Sequence, residues 1–177
     1  SLFQCIARRD QAARALGGFD DDGGQPAVSA AADDIEARAR LVALARGWLG
    51  TPFCHGASRR GAGCDCLGLI LGLMRDWRGQ APCAPPYGPA GGSDADGAVL
   101  LEGLAHHLKP VLPGAPLLPG QVLLFALHPG RAARHLGLCS AGGQGARFIH
   151  AYGRHGVVES PLSAPWQRRL RARFDLI

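Results

Sequence analysis

The sequence predicts an α+β fold in which N-terminal helices pack on one face of a C-terminal antiparallel sheet. Apolar residues recur at helical spacing in the first part of the chain, whereas short apolar or alternating runs separated by turns follow Gln121. The 177 residues, 47% hydrophobic and 19% charged, suit one ordinary domain. No apolar run approaches the ~18 residues that span a membrane, so no membrane partner is expected.

The first helix is predicted to begin after an N-terminal arm. Residues 1–32 contain GGFDDDGGQPAVSA, which is typical of a linker, and the domain is expected to occupy residues 33–177. Asp33 and Glu36 resemble a capping box, and the apolar spacing that follows predicts a helix over about 34–49. No signal peptide is visible, so synthesis in the cytoplasm is expected.

Two more helices follow. Asp65 is a favourable N-cap for a helix from Cys66 to Trp77, which is apolar nearly all round and therefore expected to be central. A loop rich in Pro and Gly over 79–93 separates it from a third helix predicted at about 96–108.

Five segments have the length and composition of strands: QVLLFAL, RHLGLCS, ARFIHAY, HGVVES and RRLRARFDLI. In the last segment Arg169, Arg171 and Arg173 alternate, so they are expected to share one sheet face. They would contact an anionic partner there, or simply protect an edge strand in solvent. The net charge of +5 favours an anionic partner, or it simply reflects a well-solvated surface. Nothing indicates specific nucleic-acid recognition.

Cys66 is the candidate nucleophile. In the first turn of a helix, unpaired N–H groups and the positive end of the dipole favour a thiolate, so a lowered thiol pKa and the fastest alkylation of the six cysteines are expected. The other cysteines are interpreted as ordinary thiols. Cys54, His55, Cys64 and Cys66 lack the repeated C-x2-C spacing of a structural zinc site, so neither a metal nor a cofactor is predicted.

A nucleophile of this kind needs a base from elsewhere in the fold. His135 and His150 lie in adjacent strand-like segments about fifteen residues apart, and antiparallel pairing brings opposite residues within about 5.5 Å. One would be the base and the other its orienter. A structural role for either histidine remains the simpler alternative.

The order of these segments resembles the NlpC/P60 family of cysteine peptidases over about residues 36–176. GTPFCHGASRRGAGCDCLGLI is similar to the GTPY…G…DCSGL segment, and PGQVLLF, HLGL and FIHAY are similar to later segments. The resemblance implies a papain-like fold with Cys66 as nucleophile, His135 as base and His150 as the orienting residue. It also implies cleavage of peptidoglycan stem peptides next to diaminopimelate or a similar residue.

Three positions depart from the family pattern. Phe53 replaces a tyrosine that lines the substrate and oxyanion region, Leu67 replaces a serine, and Gln121 replaces an aspartate, whereas Asp65 is retained. Loss of one oxyanion donor costs about 10²–10³ in rate where it matters, so Phe53 could weaken activity.

The resemblance is greatest to the phage-tail and prophage branch. It implies a particle tail acting at the bacterial cell wall and periplasm, with tail-tip or baseplate proteins as partners. A structural tail-tip component with reduced or no activity is the alternative, and an acyl transferase is a third possibility.

Overall fold

The computed structural model describes residues 26–84, 87 and 94–177. Four α-helices lie in these ranges, α1 (Pro26–Arg46), α2 (Cys66–Arg78), α3 (Asp94–His107) and α4 (Ala164–Arg169), together with a short 3-10 helix at Gly153–His155. The strands there are β1 (Ser58–Arg59), β2 (Gly63–Cys64), β3 (Lys109–Pro110), β4 (Gln121–Phe125), β5 (His135–Ala141), β6 (Arg147–Ala151), β7 (Val157–Pro161) and β8 (Leu170–Asp175). Most of the predicted N-terminal arm, residues 1–25, lies outside the described residues, and the predicted domain boundary stays a prediction.

A six-stranded antiparallel sheet in the order β3-β8-β4-β5-β6-β7 forms the second part of the fold. The predicted α+β class and the five predicted strands are confirmed. The hairpin of β1 and β2 immediately precedes α2, so it positions the start of that helix.

Helix α1 begins at Pro26 rather than near residue 34. Asp33 and Glu36 therefore lie inside the helix, and the predicted capping box is wrong. The difference has a simple origin: proline is favoured at the first helical position, and the AVSAAA run that follows is rich in the strongest helix former.

Helix α2 is central, as predicted. Its buried residues include Leu69, Ile70 and Leu73, each with no more than 1% of its surface exposed. Gly72 allows Trp48 to pack directly on the helix, because a Cβ at this position would lie 2.2 Å from the indole.

The two faces of the sheet belong to two different apolar clusters. Val122, Leu124, Leu136, Leu138 and Ile149 pack in the main core with α1, α2 and α3. The opposite face carries Leu123, Phe125, Cys139 and Phe148, against which Trp166 of α4 packs. Side chains alternate between faces along a strand, so neighbours such as Leu124 and Phe125 separate in this way.

The C-terminal arginines do not form the predicted row on one face. Arg169 is the last residue of α4, and Arg173 donates hydrogen bonds to the carbonyls of Ala115 (2.7 Å) and Pro116 (3.0 Å). Arg173 therefore secures the loop before β4. No helix in the described ranges is both long and apolar enough to span a membrane.

Candidate active site

Asp65 and Cys66 define the start of α2. Asp65 is the N-cap, as predicted: its carboxylate accepts hydrogen bonds from the backbone N–H of Gly68 (2.8 Å) and of Gly56 (2.7 Å). The Tyr87 hydroxyl donates a third (2.6 Å). These bonds fix the loop before α2 and place Cys66 as the first helical residue.

The Cys66 sulfur is partly buried and packs against the beginning of β5. It lies 3.8 Å from the carbonyl oxygen of Arg134. Burial raises the pKa of the thiol to about 11; the Asp65 carboxylate adds to the rise, whereas the N–H groups of Leu136, Leu67 and Cys66 itself oppose it. The expected lowering of the thiol pKa is therefore wrong for this arrangement, because desolvation outweighs the helix terminus. The thiol is protonated at neutral pH.

His135 and His150 are in direct contact. Nε2 of His135 lies 2.8 Å from Nδ1 of His150, and Nε2 of His150 lies 3.0 Å from the Ser160 hydroxyl oxygen. If His135 is to accept a proton at Nδ1, its Nε2–H must donate to His150, whose own Nε2–H then donates to Ser160. One tautomer of each ring satisfies this chain of hydrogen bonds.

Aromatic rings surround this pair and exclude water from it. Trp166 stacks on His135 with centroids 5.6 Å apart and contacts His150 edge-on at 5.2 Å. Burial lowers the pKa of His135 to about 3, with the charge of His150 as a second cause, and lowers the pKa of His150 to about 4. Both imidazoles are neutral at neutral pH, the form in which His135 acts as a base.

The thiol and the imidazoles both lie near the start of β5, but they pack against different apolar clusters. Cys66 packs with the main core, whereas His135 and His150 lie with Phe125 and Phe148 of the second cluster. Among the described residues, no hydrogen bond joins the sulfur to an imidazole nitrogen. Proton transfer from Cys66 to Nδ1 of His135 therefore requires the two groups to move into hydrogen-bond contact.

Of the other predicted site residues, one is exposed near the helix start and two pack in the interior. Phe53 is 40% exposed and forms an isolated bridge with Cys64, close to the helix start. Leu67 is half-buried against the main core, and only its backbone N–H acts on the thiol. Gln121 is buried, and its side-chain oxygen accepts from the N–H of Leu118 at 3.3 Å.

Sequence reasoning missed Ser160, Trp166 and Tyr87. Ser160 could have been found once β6 and β7 were paired, because strand alternation places it on the face of His150. Trp166 and Tyr87 follow turns or loops, where no sequence period indicates their direction. In the described ranges, no group of three or more His, Cys, Asp or Glu residues could hold a metal ion.

Comparison with known proteins identifies the fold. No protein-family profile matches the sequence, and no curated protein matches it. Solved structures do match, and several of them are NlpC/P60 proteins. The chain has the NlpC/P60 fold.

Three of these structures are representative. An NLP/P60 family protein similar to lipoprotein, from Staphylococcus aureus, matches with a TM-score of 0.51 and 21% identity over 80% of this chain and 42% of its own. A family protein from Bacillus cereus has a TM-score of 0.55 and 18% identity over 77% and 39%. The NlpC/p60 domain of the peptidoglycan hydrolase SagA has a TM-score of 0.51 and 19% identity over 78% and 97%. The chain thus spans less than half of the two longer proteins.

Proposed function

We propose that this chain is a cysteine peptidase that hydrolyses the stem peptides of peptidoglycan, with Cys66 as nucleophile, His135 as base and His150 as orienter. The observation that carries the proposal is the 2.8 Å contact between His135 and His150 at the start of β5, next to the Arg134 carbonyl that the Cys66 sulfur contacts. A thiol at a helix start, a neutral imidazole and an orienting group form the constellation of a thiol hydrolase.

Acylation begins from a neutral pair in this mechanism. As the Cys66 sulfur attacks the carbonyl carbon of the peptide bond, Nδ1 of His135 accepts the S–H proton. The backbone N–H groups of Cys66 and Leu67 lie where they stabilise the sulfur, and they are candidates to donate to the developing oxyanion. His135 then returns the proton to the leaving amine as the C–N bond breaks, which leaves a thioester on Cys66.

Deacylation repeats the proton transfers with water. His135 takes a proton from the attacking water, the C–S bond breaks, and the thiol recovers that proton as the peptide carboxylic acid departs. Throughout, Nδ1 of His150 accepts a hydrogen bond from the Nε2–H of His135. The Nε2–H of His150 in turn donates to the Ser160 hydroxyl oxygen.

Wall peptide is the substrate class that the fold favours, since the SagA domain of the same fold belongs to a peptidoglycan hydrolase. A phage tail or phage-derived particle is the setting implied by the sequence resemblance, with tail-tip or baseplate proteins as partners and the cell wall as site of action. This setting rests on that resemblance alone.

A second candidate function is a structural component with reduced or no catalytic activity. Two observations favour it: in the described part of the chain the thiol makes no hydrogen bond to an imidazole, and Phe53 has no hydroxyl to donate to an oxyanion. Its distinguishing consequence is that no peptide bond is cut.

Incubation with purified peptidoglycan separates the two. The wild-type protein and a Cys54→Ala control are expected to release new free amino groups, whereas Cys66→Ala is expected to release none. Release by Cys66→Ala would refute the nucleophile assignment, and the absence of release by every protein would favour the structural component.

A further inference from the structure

An open cleft of about 630 Å³ lies between the loop at residues 50–53 and the turn at residues 153–156. Its two walls are joined by backbone hydrogen bonds, from Gly50 N–H to the Val157 carbonyl and from Val157 N–H to the Thr51 carbonyl, both 2.9 Å. Gly156, with φ of +67°, permits this contact, because a Cβ there would lie 2.3 Å from the Thr51 oxygen. The cleft therefore has a fixed floor.

Both walls are continuous with the candidate active site. On one side, the Cys54 N–H donates to the Cys64 carbonyl (3.0 Å), which ties the Phe53 segment to the chain two residues before Cys66. On the other side, the turn follows Tyr152, whose ring lies 5.9 Å from His135 and 5.3 Å from His150. A peptide lying in the cleft would thus contact segments that lead directly to the thiol and to the imidazoles.

The lining of the cleft combines aromatic rings with a positive charge. Phe53 and His155 line it, and Phe53 is 40% exposed. Tyr152, which immediately precedes the lining turn, is 43% exposed and stacks with His155. Arg154 lines the same cleft and is exposed. In the described ranges, no Asp or Glu forms an ion pair with Arg154, whereas Arg46 and Arg147 are both paired with Glu159. The planar guanidinium of an arginine can donate two parallel N–H hydrogen bonds to the two oxygens of one carboxylate.

We infer that this cleft is a substrate subsite in which Arg154 binds a free carboxylate of the peptide while Phe53 and Tyr152 pack against its backbone and apolar parts. The inference rests on the proposed peptidase function and makes it more specific. The preferred substrates are acidic peptides with a carboxylate close to the bond that is cut, and amidation of that carboxylate weakens binding.

The test uses paired synthetic stem peptides that differ only in having a carboxylate or a carboxamide at one position. Wild-type protein is expected to prefer the carboxylate peptide by about 3- to 10-fold in kcat/KM, mostly through KM, with the preference shrinking as salt rises. In Arg154→Gln the ratio should fall towards 1, and Arg154→Lys should restore part of it. The matched control is Lys109→Gln, which removes one charge from the opposite edge of the sheet and should keep the wild-type ratio.

Two results would overturn the inference: an unchanged ratio in Arg154→Gln, or an equal loss for both peptides. If no peptide is hydrolysed, the proposed peptidase function fails. The subsite is then tested separately by measuring how tightly each peptide binds. Fluorescence titration of Cys66→Ala protein with the two labelled peptides should show the same preference in Kd, abolished by Arg154→Gln. Equal Kd values for the two peptides would reject the subsite.

Discussion

Acidification should destabilise this fold through the buried pair His135 and His150. The two side chains are 6% and 1% exposed, and burial lowers their pKa values to about 3 and about 4. In the unfolded chain each imidazole titrates near its ordinary value of about 6.5. Between these values the unfolded state binds more protons than the folded state, so stability falls as pH falls.

The magnitude follows from the size of this window. Below pH 6.5 each histidine favours unfolding by about 1.4 kcal/mol per pH unit until its folded pKa is reached. At pH 5 both rings remain neutral in the folded state, so each contributes about 2 kcal/mol and the pair about 4 kcal/mol. Such a loss is a large fraction of the ~5–15 kcal/mol that stabilises an ordinary domain.

Urea denaturation at pH 7, 6 and 5 measures this directly. Tryptophan fluorescence is a suitable probe because Trp166 stacks on His135. A His135→Gln, His150→Gln double variant should lose most of the pH dependence, and the exposed His128→Gln should keep it. If the double variant does not fold, His150→Gln alone should show about half the wild-type loss. A wild-type stability that is flat between pH 7 and 5 would refute the reasoning.

Three further predictions concern the site and the core. His135→Ala should lower kcat/KM on stem peptides by about 100-fold or more, and His150→Gln by much less, because only the base transfers protons; equal losses would contradict the two roles. At pH 7, mass mapping after brief iodoacetamide treatment should show Cys54, which is exposed, labelled before Cys66, whose partly buried thiol has a pKa of about 11. Faster labelling of Cys66 would mean that its thiol is ionised in solution. Arg38→Met should cost about 3 kcal/mol in urea denaturation, because it leaves the partly buried Asp175 without its two hydrogen bonds; a cost under 1 kcal/mol would be inconsistent with that ion pair.

Periodicity and one cap residue were sufficient to predict the part of the fold that holds the nucleophile. Asp65 closes the first turn of α2, and Cys66 occupies that turn, as the sequence indicates. The spacing of His135 and His150 across a turn permits them to share one sheet face, and the structure shows them in contact. Their catalytic roles stay predictions.

Features that depend on tertiary packing could not be predicted. The thiol pKa depends on how deeply the sulfur lies against β5, and the sequence contains only the local helix terminus, which acts in the opposite direction. Helix α4 has six residues, too few for a clear period, so neither its start nor the direction of Trp166 was visible. Strand β3 has two residues and exists through pairing with the distant β8, and β1 has only two residues, too few for a strand pattern to show.

Covalent trapping tests the central claim most directly. Protein mixed with a stem peptide and quenched in acid within milliseconds to seconds should carry a mass increase equal to the acyl part of the peptide. Peptide mapping by mass spectrometry should place this adduct on Cys66, and Cys66→Ser should not carry it as a thioester. Hydrolysis that proceeds without an adduct, or with the adduct on another residue, would contradict the account.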